Sequence, residues 1–204
     1  MPEFQKNTLE VLRGPLEDGK ISITRVSASL TYPCEFMLIA SMNPCPCGYY
    51  GSKEKECTCS EQAIQRYRNK ISGPLLDRID IHMEVEGVKY EKLKDEKKGE
   101  SSSKIKERVN KARRIQKQRY QEYGIFSNSE LTPKLMDIYC KLDIPSKTIL
   151  EKAFSQLGLS ARAYGRILKV ARTIADLEEC ERIQKEHIAE AIQYRSLDRK
   201  YWNR

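Results

Sequence analysis

The sequence predicts an α/β part followed by an all-α part. Three observations support this: a short unbroken apolar run at 36–42, a highly charged stretch at 89–103, and helical periodicity after it. Such an apolar run is typical of a strand that is buried on both faces of a parallel sheet. The charged stretch ends in Gly99, Glu100 and three serines, as mobile linkers do. We therefore predict a first domain at 1–88, a linker at 89–103 and a helical domain at 104–204.

Composition limits what the chain can be. Its 204 residues are 39% hydrophobic and 32% charged, with a formal net charge of +8. This is enough apolar material for one or two modest cores. No apolar stretch approaches the about 20 residues that cross a bilayer, and residues 1–4 do not resemble a signal peptide. We therefore expect a basic protein that acts in the cytoplasm.

Two strands are predicted at 20–25 and 28–32, joined as a hairpin. Just before them, Gly14–Lys20 satisfies the first seven positions of the phosphate-loop pattern G-x-x-x-x-G-K-[ST], but Ile21 occupies the eighth. A strand-like run follows the lysine instead of a helix. We predict that this segment does not bind phosphate.

The apolar run at 36–42 ends in Asn43 and Pro44. Ligands of parallel sheets bind just beyond the carboxyl ends of the strands, so an amide here can contact a nucleotide phosphate or an attacking water. An ordinary turn is the alternative, because Asn-Pro pairs commonly start turns. The residues alone leave both interpretations open.

Four cysteines form two C-x-C pairs, Cys45 with Cys47 and Cys57 with Cys59, separated by nine residues. Four thiolates satisfy tetrahedral zinc, although zinc sites more often use C-x2-C spacing. Free thiols and a disulfide that forms on oxidation are the alternatives. We predict a structural zinc site.

Residues 79–85 alternate in polarity as a further strand would, with His82 on the polar face. We interpret His82, like His187, as a satisfied side chain at a surface or groove rather than a metal ligand.

Helices are predicted in the second half from periodicity and end signals. Pro133 and Pro145 lie near helix starts, and Gly124 and Gly158 lie just past helix ends. The first helix is rich in lysine and arginine, which is typical of a solvated face and leaves DNA contact as an alternative. The predicted ranges are 104–123, 131–141, 146–157, 160–178 and 185–196.

Several segments occur in the order and spacing of one family. They are the residues at 16–19, 43–48, 71–80, 158–164 and 191–195. Through them essentially the whole chain resembles the magnesium-chelatase-like AAA+ ATPases of the ComM/YifB type. Complete members carry a phosphate loop and an acidic magnesium-holding motif before the segment that matches Pro2-Glu3-Phe4. The resemblance therefore implies the C-terminal portion of such an ATPase, inactive by itself.

The resemblance also implies a fold and catalytic residues. The fold is the truncated C-terminal half of an AAA+ core, with parallel-sheet strands and a β-hairpin, followed by a helical lid. Asn43 corresponds to the first sensor, Arg78 to an arginine finger that reaches the neighbouring subunit's γ-phosphate, and Arg162 to the second sensor. The alternative for each arginine is a structural salt bridge, with Asp77 or Asp80 as the partner of Arg78.

Finally, the resemblance implies partners and a reaction. The hairpin would project into a ring's pore, where Lys20 and Arg25 contact DNA phosphates. The whole protein would hydrolyse ATP with Mg²⁺ in a homo-oligomeric ring, expected to be a hexamer, and remodel DNA or move branch points in recombination and natural transformation. The alternatives are protein remodelling or metal insertion, as in magnesium chelatase, and a non-catalytic zinc and nucleic-acid binding module.

Overall fold

The computed structural model describes residues 1–85, 87 and 99–195. They divide into two compact units, the first comprising Met1–Ile79 and the second beginning at Asp80. Each unit has its own buried apolar cluster. Residues 89–98 of the predicted linker and residues 196–204 of the predicted helical domain lie outside the described residues.

The first unit combines short helices with one β-hairpin. Side-chain hydroxyls of Ser60 and Ser72 accept backbone N–H groups at the starts of the third and fourth helices, which satisfies donors that a helix start leaves open. The small core is formed by Leu9, Ile71, Leu75 and Leu76. The elements are α1 (Lys6–Val11), α2 (Arg13–Asp18), β1 (Lys20–Arg25), β2 (Ala28–Pro33), α3 (Glu61–Arg68) and α4 (Gly73–Leu76).

The hairpin confirms the two predicted strands. β1 and β2 are antiparallel, with Lys20 opposite Pro33 and Arg25 opposite Ala28. Because side chains alternate along a strand, one face is polar and the other is largely apolar. Every residue of both strands is exposed. The apolar face carries Ile21, Ile23, Leu30 and Tyr32.

The segment that partly matches a phosphate loop has a different structure. Residues 14–18 belong to α2, and Gly19 ends that helix in the left-handed conformation with φ 61°. β1 begins at Lys20, so a strand follows the lysine, as predicted. The strand–loop–helix setting of a phosphate loop is therefore not present at this segment.

The predicted buried strand at 36–42 is wrong. Residues 34–43 belong to no helix or strand, and Met37 and Ile39 are 83% and 82% exposed. A strand needs a neighbour that pairs with its backbone N–H and C=O groups, and the described part of the chain contains only the β1–β2 sheet. The strand predicted at 79–85 is wrong for the same reason. No parallel pair forms among the described residues.

The second unit is mainly helical from Ser102 onward, where it is described, which confirms the five predicted helices with shifts of a few residues at their ends. Asp143 and Ser160 accept backbone N–H groups at helix starts, and Gly124 and Gly158 end turns in the left-handed conformation. None of the described helices is long and apolar enough to cross a membrane. The elements are α5 (Ser102–Arg119), 3-10 turns at Gln121–Tyr123 and Asn128–Glu130, α6 (Pro133–Tyr139), α7 (Ile144–Leu157), α8 (Ala161–Leu177) and α9 (Lys185–Gln193).

A buried ionic cluster lies inside the second unit. The fully buried carboxylate of Asp176 accepts hydrogen bonds from Arg119 at 2.6 and 3.0 Å and from Arg172 Nε at 3.2 Å. Asn128 Nδ2 donates to the same carboxylate at 2.8 Å and Tyr120 donates to the Asn128 amide oxygen at 2.6 Å. The cluster joins α5, α8 and the turn at Asn128–Glu130, so it fixes how these elements pack.

Candidate functional site at the Asn43 turn and the four cysteines

Asn43 is exposed and lies directly before a bend at Pro44 and Cys45; the end of α3 contacts this segment, which we call the Asn43 turn (residues 43–45). The backbone N–H of Asn43 donates to the Tyr67 hydroxyl, whose pKa burial raises and this hydrogen bond lowers in part. Arg68 Nε donates to the carbonyl oxygen of Pro44 at 3.2 Å. Two consecutive residues of one helix therefore fix two consecutive residues of the turn.

The four cysteines meet at one point directly beside this turn. Their Sγ atoms all lie within 4.8 Å of one another. Cys45 Sγ lies 3.4 Å from Cys47 Sγ and 3.7 Å from Cys57 Sγ, and Cys47 and Cys57 are 3.6 Å apart. Four sulfurs around zinc, each about 2.3 Å from the ion, are separated by about 3.8 Å. The cluster therefore has the dimensions of a tetrahedral thiolate site.

The surroundings of the sulfurs also suit a metal. Backbone hydrogen bonds, led by that of Tyr49, lower the pKa of Cys47 to about 5 in spite of desolvation. A backbone hydrogen bond also lowers the pKa of Cys57 and that of Cys59 in part, but desolvation and the neighbouring thiols Cys47 and Cys45 raise both pKa values overall. The backbone N–H of Tyr50 donates to Cys45 Sγ at 3.4 Å. All four cysteines are free, and their sulfurs are farther apart than the about 2.05 Å of a disulfide. This set of donors fits Zn²⁺ better than it fits a disulfide.

Gly48 brings the cysteine loop against Asn43. Its φ of 84° lies in the left-handed region that favours glycine, and its N–H donates to the carbonyl oxygen of Cys45 at 3.1 Å. A Cβ atom at this position would lie 3.8 Å from Cγ and Nδ2 of Asn43. The loop that carries the first cysteine pair therefore packs on the Asn43 amide.

Arg78 is held inside the first unit. Its side chain is 8% exposed and pairs with Glu17, which is 34% exposed. Arg78 also donates to the carbonyl oxygens of Arg13 at 3.0 Å and Pro74 at 2.7 Å. The salt-bridge partner is thus Glu17, whereas the sequence had suggested Asp77 or Asp80.

Asp80 and Arg162 belong to the second unit. Asp80 pairs with Arg166 of α8. Arg162 is the second residue of α8 and is exposed. Asn43 and Arg78 lie in the first unit, so the described structure does not place Arg162 in the same unit as the other two predicted nucleotide contacts.

Lys20 and Arg25 lie at opposite ends of β1. They are an odd number of positions apart, so their side chains point to opposite faces of the strand. Lys20 is at the base, where it is opposite Pro33. Arg25 is beside the tip, next to Val26, whose side chain is fully exposed. Arg25 is therefore better placed than Lys20 for a contact at the hairpin tip.

A second group of possible metal ligands consists of Glu178, Cys180 and His187. His187 Nδ1 accepts the backbone N–H of Gln184 at 3.0 Å, and its Nε2 lies 3.0 Å from Glu178 Oε2. Both ring nitrogens already have protein partners, and the ring is buried. His187 is thus a satisfied structural side chain, as predicted, although it is buried rather than at the surface.

Sequence reasoning missed the residues that support the site. Tyr67, Arg68 and Glu17 contact Asn43, Pro44 and Arg78 respectively, over separations of 24 to 61 residues. Such long-range pairs leave no spacing signal. The i, i+3, i+4 spacing of Ile64, Tyr67 and Arg68, which are all buried, is a pattern that could have suggested that this side of α3 packs inward.

The comparisons with known proteins cover almost the whole chain. Residues 1–93 match the family described as magnesium chelatase, subunit ChlI, and residues 99–195 match the C-terminal region of that subunit. The chain belongs to the magnesium-chelatase family. This family is related to the AAA+ ATPases.

Relatives within the magnesium-chelatase family confirm the ComM/YifB type. Competence protein ComM of Haemophilus influenzae is 43% identical over 200 residues, which is 98% of this chain and 38% of ComM. The uncharacterized protein YifB of Salmonella typhimurium and that of Escherichia coli are 42% identical over 203 residues. The chain spans 38% of the length of these relatives.

Proposed function

We propose that this chain is the C-terminal portion of a ring-forming AAA+ ATPase that couples ATP hydrolysis to DNA remodelling or branch migration. The observation that carries the proposal is the 43% identity to competence protein ComM over 98% of the chain. Competence points to natural transformation, and thus to recombination of incoming DNA. The net charge of +8 supports a polyanionic partner.

Within this proposal the whole protein is a cytoplasmic homo-oligomer, with six subunits expected. ATP and Mg²⁺ are its cofactors, and Zn²⁺ is the ion assigned to the four cysteines. When they are bound, ATP with Mg²⁺ supplies the phosphoryl group that is transferred. This chain contributes side chains that sense the nucleotide, and the printed sequence contains no complete phosphate loop.

Asn43 is the proposed first sensor. Its amide is exposed at a turn whose backbone is held from α3, so its position does not depend on the mobility of a free loop. A side-chain amide can orient an attacking water or donate to a phosphate oxygen. Arg162, exposed at the start of α8, is proposed as the second sensor.

Arg78 is the proposed arginine finger, although its guanidinium is bound to other groups of the first unit in the structure. The guanidinium is anchored by Glu17 and by two backbone carbonyls. To reach a neighbouring γ-phosphate, the guanidinium must exchange Glu17 for the phosphate. Glu17 is partly exposed, so water can solvate its carboxylate after that exchange.

The hairpin is the proposed DNA contact. Arg25 at its tip can hold a phosphate without reading sequence, while Lys20 at its base is the weaker candidate. Because both strands are exposed, no described neighbour covers the hairpin.

Two alternatives remain proposals with their own support. The family description favours a magnesium-chelatase-like ATPase that remodels a protein or inserts a metal. The four-cysteine cluster favours a non-catalytic zinc and nucleic-acid binding module. ATP turnover by the complete protein would exclude the second alternative.

The test is migration of a synthetic four-way DNA junction by the complete protein. We expect ATP-dependent conversion of the junction to duplex products, and binding whose affinity falls steeply with salt. An Arg25→Glu variant should convert less, with Lys53→Glu on the cysteine loop, an exposed position with the same change of charge, as the control for nonspecific charge effects. ATP hydrolysis without any junction binding or conversion would instead favour the protein-remodelling alternative.

A further inference from the structure

The metal cluster and the Asn43 turn share the same two pieces of chain. Cys45 and Cys47 follow Asn43 directly, and Cys57 and Cys59 directly precede α3, which begins at Glu61. An ion bound by all four sulfurs would therefore join the start of α3 to the chain just after Asn43.

The other end of α3 contacts the same turn. Tyr67 accepts the Asn43 N–H and Arg68 donates to Pro44 O at 3.2 Å. The Arg68 guanidinium also lies over the Tyr50 ring, 4.6 Å from its centroid, so the cysteine loop packs on this helix as well. The turn is thus linked to both ends of α3, through the cysteine cluster at the start of the helix and through Tyr67 and Arg68 at its end.

No strand pairing fixes Asn43 in the described backbone, but two contacts hold the residues before it. The Met1 amino group donates to the carbonyl oxygen of Ser41 at 2.7 Å, and Met42 packs against the small core. Residues 34–43 belong to no helix or strand, so no ladder of hydrogen bonds holds this segment. By contrast, Cys45 is completely buried beside it. The position of the turn therefore depends on the side chains of α3 and on the cysteine cluster, together with the packing of Met42 on the core.

We infer that Zn²⁺ on Cys45, Cys47, Cys57 and Cys59 acts as a clamp that holds the Asn43 turn against α3. The inference rests on the proposed zinc ion and is independent of whether the whole protein acts on DNA. Binding replaces thiol protons by the metal, and these protons pass to the solvent. Four thiolates fill a tetrahedral site and leave no open position, so the ion positions Asn43 and has no catalytic role of its own.

The first arm of the test measures metal in the purified 204-residue chain under reducing conditions. We expect one Zn²⁺ per chain, and Co²⁺ loading should give the intense visible absorption of tetrahedral thiolate coordination. Cys57→Ser should lose the ion. Cys34→Ser is the matched control, since Cys34 is a half-buried free cysteine of the same unit outside the cluster.

The second arm measures backbone hydrogen exchange before and after chelation of zinc. Removal should speed exchange by about tenfold or more at the backbone amides of residues 41–48 other than Pro44 and Pro46, which carry none, and added Zn²⁺ should restore protection. The helices of the second unit should not change. Tyr67→Phe should speed exchange of the Asn43 amide even with zinc bound, because its acceptor is lost.

The outcomes separate the two claims. Absence of zinc from the wild-type chain, or unchanged zinc in Cys57→Ser, would overturn the ion and the clamp together. Stoichiometric zinc with unchanged exchange at residues 41–43 after its removal would leave the metal site and overturn the clamp. Neither result depends on ATP or DNA, so failure of the proposed function would be recognised separately.

Discussion

Arg78→Ala in the complete protein distinguishes an arginine finger from a structural salt bridge. Removing one partner of a buried charge pair costs about 3–5 kcal/mol. Glu17 is 34% exposed and can be rehydrated, so we expect the lower end of that range. A protein that is stable by at least about 5 kcal/mol keeps about 2 kcal/mol, which leaves only a few per cent unfolded. Unfolding alone therefore cannot explain a large loss of turnover.

A finger acting on the transferred phosphoryl group predicts a much larger effect. Arginine fingers contribute about 10³–10⁵ in turnover where they have been measured in GTPases. Arg78→Ala should therefore depress ATP hydrolysis far more than ATP binding. Glu17→Gln is the matched control, because it removes the ion-pair partner and keeps the guanidinium. Its turnover should stay within a few fold of wild type.

Subunit mixing decides whether Arg78 acts across an interface. A phosphate-loop variant and Arg78→Ala, each inactive alone, should recover activity when mixed, because some interfaces then pair an intact loop with an intact arginine. The reasoning is refuted if Arg78→Ala hydrolyses ATP normally, or if mixed rings form without recovering activity. Equal losses in Glu17→Gln and Arg78→Ala would identify the pair as purely structural.

Three further predictions concern nucleotide, DNA and stability. The 204-residue chain should show no micromolar ATP affinity in calorimetry, since its sequence lacks a complete phosphate loop; such affinity would contradict the proposal that this chain senses the nucleotide without binding it by itself. Arg25→Glu in the complete protein should weaken DNA binding for all sequences alike and flatten its salt dependence, whereas Lys20→Glu should do so less; equal effects would contradict the tip placement. Asp176→Asn should lower the free energy of unfolding of the second unit by about 3–5 kcal/mol in urea titrations followed by circular dichroism, because the buried Arg172 and the partly buried Arg119 lose their carboxylate. Glu100→Gln, in an exposed pair with Arg108, should cost less than about 1 kcal/mol; a similar loss in both variants would argue against the buried cluster.

The helical unit could be predicted because its signals are local. Asp143 and Ser160 are N-caps and Gly158 ends a helix, and each acts within one turn of its own position. Tertiary packing did not need to be known to place these ends.

The strand at 36–42 could not be predicted correctly from its composition. An apolar run indicates that burial would be favourable, but it does not indicate whether a neighbouring strand is available. The described residues provide none, and Met37 and Ile39 remain exposed. The apolar pattern marked the segment before Asn43 as distinctive, but it did not predict the conformation of that segment.

The candidate site was predictable in its ligands and not in its supports. The two C-x-C pairs identified the four ligands in the sequence. The structure shows in addition that the second pair lies beside Cys45 and Cys47. The partner of Arg78 is Glu17, 61 residues away, whereas sequence proximity had favoured aspartates beside it. Long-range pairs of this kind depend on packing between elements.

The most direct test of the central claim is ATP hydrolysis by the complete protein, measured with and without a four-way DNA junction. We predict that the junction stimulates turnover in the wild type. Asn43→Ala should lose turnover by tenfold or more, in about the range of a lost catalytic hydrogen-bonding group, while still binding ATP. Ser41→Ala, two residues earlier in the same exposed segment, should behave as the wild type. Turnover that is insensitive to both the junction and Asn43→Ala would contradict the account.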